Sequence, residues 1–153
     1  FLAWVVYQYL NAHYFFEVDV LGKSNKELWG DKLKDSLDTK YDIVIDLNTR
    51  DEVFTQDIVT EQGLIVLGAE KSNGITTRFE KLLWNAVTVV FPSPRQKNFK
   101  RCMEMAVKMI ETGALDIDKF WSKGYDRETE WQDAFKESDY RMPGFNRGYI
   151  EWL

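Results

Sequence analysis

Two residue periods alternate along this chain. Three short runs, YDIVIDL (41–47), GLIVLGA (63–69) and NAVTVVF (85–91), are apolar on both faces of an extended chain. Around them apolar residues recur at helical spacing, as Val53, Phe54, Ile58 and Val59 do in RDEVFTQDIVTE (50–61). A strand with one wet face alternates apolar and polar residues, whereas a strand buried on both faces does not. Strands of the second kind, bracketed by helices, predict an α/β fold built on a Rossmann-like, doubly wound parallel sheet.

The other elements fill in around that frame. The opening FLAWVVYQYL predicts a helix over 1–12 that is apolar nearly all round, so it needs burial on more than one side. That helix, and a chain starting at Phe1 without Met, imply a segment upstream and a sheet incomplete at its N-terminal end. Tyr14–Leu21 reads as the first strand, followed by a polar stretch with helical tendency in parts. The helix over 50–61 is expected to stop at Gln62-Gly63, and Pro92 and Pro94 to stop the strand at 85–91. A long helix over 96–113 places Phe99, Cys102, Met103, Ala106, Met109 and Ile110 on one side, with Gly113 as its cap. A short strand or turn at 115–121, a helix over 127–138 and a terminal strand, GYIEWL, complete the reading.

Charge and length narrow the function. A net charge of −5 and a pI near 5.0 speak against a duplex nucleic-acid partner, which needs a basic face. The basic clusters at Lys23/Lys26 and Arg95–Arg101 read as solvated surface. No run approaches the roughly 18 apolar residues that span a bilayer, so no membrane association is expected. Cys102 is the single cysteine, which excludes an internal disulfide and points to a reducing, cytoplasmic setting. Within its amphipathic helix it reads as a packing residue.

Catalytic apparatus is sparse. One histidine, His13, and one cysteine cannot furnish a zinc set, and no Ser/His/acid arrangement is evident. His13 reads as a surface or capping residue at a helix–strand junction. Neither GxGxxG nor GxxxxGK[ST] is present. What remains are the carboxyl ends of the strands, where doubly wound sheets bind ligands. Gly22-Lys23-Ser24 offers space, a cation and a hydroxyl donor, which suit a 2′-phosphate; a polar turn after a strand accounts for the same residues. The other strand ends carry Asp46-Leu47-Asn48 and Leu67-Gly68-Ala69. Gly68 either admits close approach of a ring or serves an ordinary turn.

Taken in order, these pieces resemble the C-terminal half of the medium-chain dehydrogenase/reductase superfamily, specifically its zinc-type alcohol and polyol dehydrogenases. FLAWVVYQYL resembles the helix after that family's glycine loop, and FEVDVLGKSNKEL its second strand with the ribose-reading end. YDIVIDL and GLIVLG resemble the fourth and fifth strands, WNAVTVVFPSP the last strand of the coenzyme domain, and EWQDAF…RGYIEWL the closing helix and strand. The resemblance implies a partial nucleotide-binding domain over 1–113 and a segment over 114–153 that returns to the catalytic domain. It implies that Gly22 stands where the ribose-binding acid usually is, flanked by Lys23 and Ser24 as in NADP-preferring relatives. It implies further that Leu47, Leu67, Gly68 and Ala69 lie at strand ends around the nicotinamide pocket, and that Arg147 reaches the pyrophosphate. The zinc-binding catalytic domain, the first strand and the glycine loop are absent from the chain, and the glycine common after the fourth strand is replaced in the Asn48-Thr49 region.

The expected function is therefore the cofactor-binding part of an NADP- or NAD-dependent dehydrogenase of alcohols, polyols or sugars. Zinc would be held only by the missing catalytic domain, and the chain alone would be inactive. A homodimer through the strand near 85–93 is expected. A non-catalytic nucleotide-binding or dimerisation module, and an unrelated α/β interaction domain, are the alternatives.

Overall fold

The computed structural model describes residues 1–13, 16–22, 26–48, 52–70, 79–140 and 147–152. These form two compact units, one of residues 17–100 and one of residues 1–16 with 101–153.

Among its described residues the 17–100 unit holds five strands, all parallel to their neighbours. In the first sheet, β1 (Val20–Leu21) pairs with β2 (Leu33–Lys34) after a short helix α2 (Lys26–Trp29) and a 3-10 turn. In the second, β4 (Val59–Leu67) lies between β3 (Tyr41–Asp46) and β5 (Thr88–Val90). The α/β class and the parallel Rossmann-like sheet are as the apolar runs predict. Asp19, just before β1, accepts a 2.8 Å hydrogen bond from the Tyr41 hydroxyl at the start of β3. Desolvation, and then that bond, push the Tyr41 phenol up to about 12.

Register sorts the second sheet into two faces. Val44, Ile65 and Val89 are aligned, as are Asp46 and Leu67, and this face meets Val53 and Phe54 of α3 (Glu52–Thr55) and Leu82 of α4 (Phe79–Trp84). Ile65 is fully buried there. The opposite face carries Ile43, Ile45, Leu64, Val66, Thr88 and Val90, with Ile43 42% and Val90 38% exposed. The expectation of a sheet buried on both faces is thus met on one face.

Three sequence expectations are corrected. The helix over 50–61 is reduced, within the described residues, to Glu52–Thr55, because Ile58 and Val59 leave it. The Ile58 carbonyl accepts the Tyr41 amide at 2.8 Å and Val59 pairs with Tyr41, so this β-branched stretch extends the sheet. Gln62-Gly63 consequently ends no helix. It lies in a bulge where the ladder moves five residues along β4, Val59 to Leu64, against two along β3, Tyr41 to Ile43. Gln62 has φ 60° there, and its amide reaches the Asn85 carbonyl at 2.7 Å. The strand expected over 14–21 is, among its described residues, only Val20–Leu21 long, since β2 offers just two partners.

In the other unit, α1 (Leu2–His13) agrees with the predicted helix. It carries no fully buried residue and is tied instead by polar contacts to Asp116. The Trp4 and Gln8 side chains donate to the Asp116 carbonyl at 3.2 and 2.8 Å, and the Asp116 amide returns a 2.7 Å bond to Gln8. Helix α5 (Phe99–Glu111) ends at Gly113, whose φ of 72° belongs to the left-handed region that a glycine cap supplies. A strand not expected from the sequence, β6 (Trp121–Asp126), pairs in parallel with β7 (Arg147–Glu151) across α6 (Trp131–Tyr140). The helix starts later than 127 because Asp126 first builds a turn, accepting the Glu128 and Thr129 amides at 2.9 and 2.8 Å.

Candidate functional site

Parallel strands direct all their carboxyl ends to one side, so the side chains just beyond β3 and β4 share a rim. There Asp46 is aligned with Leu67, and the Gly68 amide donates to the Asp46 carbonyl at 2.8 Å. The Asp46 side chain turns the chain after β3, its Oδ1 accepting the Asn48 amide at 3.0 Å. Leu47 then leans across the neighbouring strand end. A Cβ at position 68 would come within 2.7 Å of Leu47 Cδ2, so Gly68 is where Leu47 finds its room. Leu67 is buried, Leu47 and Ala69 are half-buried, and Gly68 is exposed. The strand ends thus form a small ledge of one aliphatic side chain and open backbone, suited to the face of a planar ring.

The remaining site residues expected from sequence fall elsewhere. Gly22 closes the first sheet, donating its amide to the Lys34 carbonyl at 3.2 Å. A Cβ there would sit 3.4 Å from Leu33 Cδ1, so the position accepts a side chain. Lys23 and Ser24 lie outside the described residues. Arg147 begins β7 in the other unit, with its guanidinium 5.4 Å from the centre of the Phe1 ring at the amino end of α1.

Sequence reasoning passed over Asp46 as a site residue. The signal was available, since an apolar run that ends in an acid has buried that acid or turned it outward. Two hollows are lined by other residues. A cavity of about 30 Å³ beneath α3 and α4 is lined by Val53, Phe54, Val59, Leu82 and Val87, towards the amino ends of the strands. An open hollow in the other unit is lined by Asp118, Trp121 and Tyr149. Among the described residues no three His, Cys, Asp or Glu side chains converge as a metal set, and no helix is long and apolar enough to cross a membrane.

No protein-family model and no curated protein matches the sequence. Solved structures do match its fold. An L-idonate 5-dehydrogenase of Escherichia coli aligns with TM-score 0.78 at 13% identity, over 96% of this chain and 46% of that one. A short chain alcohol dehydrogenase of Escherichia coli, solved with NADH, aligns with TM-score 0.74 at 14% identity, over 95% of this chain and 48% of its own. An Escherichia coli oxidoreductase/dehydrogenase of unknown specificity involved in membrane biogenesis aligns with TM-score 0.57 at 19% identity, over 74% and 32%. The chain spans about half the length of the first two. At these identities the likeness is one of fold: this chain has the parallel α/β architecture found in part of those dehydrogenases.

Proposed function

We propose that this chain is the C-terminal, cofactor-binding part of an NAD(P)-dependent dehydrogenase acting on an alcohol, polyol or sugar. One observation carries the reading. A dinucleotide-binding sheet has the strand order 3-2-1-4-5-6. With its first strand withdrawn, that order separates into a pair, 3-2, and a triplet, 4-5-6. The sheets here are a parallel pair, β2-β1, and a parallel triplet, β3-β4-β5. The half-length match to solved dehydrogenases, one of them holding NADH, supports the same reading. So does Arg147 beside the amino end of α1, since a helix amino terminus and a guanidinium both favour a phosphate.

In this reading residues 1–113 belong to the nucleotide-binding domain, and 114–153 return towards a catalytic domain that holds zinc and the proton relay. The cofactor supplies hydride exchange at nicotinamide C4. This chain contributes the ledge of Leu47, Leu67, Gly68 and Ala69 for the ring, Arg147 for the pyrophosphate, and Gly22-Lys23-Ser24 for the adenosine ribose. With no acid at Gly22 and a cation next to it, the cofactor is NADP in preference to NAD, and the setting is the cytoplasm.

Titrating NADPH and NADH against the full-length protein and two variants tests this. Lys23→Ala is expected to weaken NADPH about 10- to 100-fold, the worth of one charge-assisted bond, and to leave NADH nearly unchanged. Gly22→Asp, which the 3.4 Å clearance accommodates, is expected to reverse the preference. Equal losses for both cofactors on removing Lys23 would reduce that segment to a polar turn.

A further inference from the structure

Among the described residues, Asp46 is the only buried charged side chain, at 5% exposure. An acid at the end of an apolar strand is costly there unless its oxygens are engaged. Here both parts of the residue are used. The side-chain Oδ1 accepts the Asn48 amide at 3.0 Å, and the main-chain carbonyl accepts the Gly68 amide at 2.8 Å. One residue therefore fixes the turn after β3 and the exit of β4. Leu47, held between those two bonds, is the side chain that leaves no room for a Cβ at position 68. The angle of the ledge is set by Asp46, which lies behind it on the buried face, while Gly68 is the exposed part.

We propose that Asp46 is a positioning residue that pre-forms this ledge for the nicotinamide-ribose half of a dinucleotide. The proposal rests on the cofactor reading above. A ledge held in place before the ring arrives removes the ordering cost of binding, so loss of Asp46 is felt by the ring and not by the rest of the ligand. Asn at this position keeps an oxygen to accept the Asn48 amide; Ala does not.

The test compares the full-length protein with Asp46→Asn and Asp46→Ala in two measurements. Amide hydrogen exchange without ligand reads the ledge itself. Asp46→Ala is expected to speed exchange at Asn48 by about tenfold or more, and Asp46→Asn to restore it. Binding of NADPH and of 2′-phospho-ADP-ribose, which lacks the nicotinamide ring, reads the positioning. Asp46→Ala is expected to weaken NADPH about tenfold while 2′-phospho-ADP-ribose changes by less than about twofold, and Asp46→Asn to bind both as the parent does. Equal weakening of the two ligands would show a general structural role and overturn the proposal. So would NADPH affinity unchanged in Asp46→Ala. A full-length parent that binds neither ligand would instead bring down the cofactor reading, and the positioning role with it.

Discussion

What a glycine is worth depends on what its missing Cβ would strike, and two glycines in β4 and its exit differ in this. At Gly63 the added atom would meet Val59 Cγ1 at 2.5 Å and the Thr60 carbonyl oxygen at 2.9 Å, inside a hydrogen-bonded bulge that cannot give way cheaply. At Gly68 it would meet Leu47 Cδ2 at 2.7 Å, the free end of a flexible side chain. Gly63→Ala is expected to cost about 3 kcal/mol and Gly68→Ala about 1, the two ends of the usual overpacking range. Adding Leu47→Ala should relieve the second and leave the first untouched. Denaturation midpoints of the four variants check the ranking, and a larger loss at Gly68 would contradict it. The place of Gly68 at a strand end was legible in the sequence, where close approach of a ring and an ordinary turn accounted for it equally. The neighbour that demands it was not, because no local pattern pairs residue 47 with residue 68. Asp46 was visible as an acid ending an apolar run, but its hold on two turns needs the register of β3 against β4.

At the scale of elements, polar ties do much of the organising in the 1–16/101–153 unit. Glu137 of α6 accepts from Lys123 at 2.9 Å and from the buried Tyr125 hydroxyl at 2.8 Å, so both oxygens fasten α6 to β6. The Lys123 bond, and then the Tyr125 bond, hold the Glu137 carboxyl below its ordinary range. Its folded value is the lower one. The tie therefore contributes fully above the ordinary carboxylate value and is lost as pH falls through the lowered folded value. Amide protection in α6 should decline over that acid range, and Glu137→Gln should flatten the decline; an unchanged profile would mean that the tie is idle. Among the described residues no strand pairs with the outer edge of β5, which makes a second prediction. Val90, Phe91, Leu83 and Trp84 are exposed at or beside it, and such an edge invites pairing. A two-fold dimer through β5 is expected, and Val90→Pro should shift it to monomer in sedimentation. A parent that is already monomeric would end that idea. The strands with long apolar runs were legible from sequence because their β-branched and aliphatic residues favour a pleated chain, whether both faces are covered or, as in β5, one. β2, with two residues, and β6, whose WSKGYD is largely exposed, owe their state to a partner strand, which a local reading does not see.

For the whole molecule, the governing observation is that the described strands of the 17–100 unit form a parallel pair and a parallel triplet. One apolar face is covered by α3 and α4, while Ile43 and Val90 lie exposed on the other. Both features follow if the chain is one part of a larger doubly wound domain. An NMR titration of the isotopically labelled full-length protein with NADPH, following backbone amides, tests the cofactor reading. Saturating NADPH is expected to move the Leu47, Gly68 and Ala69 amides at the strand ends. No shift at these three residues with NADPH in large excess would contradict that reading.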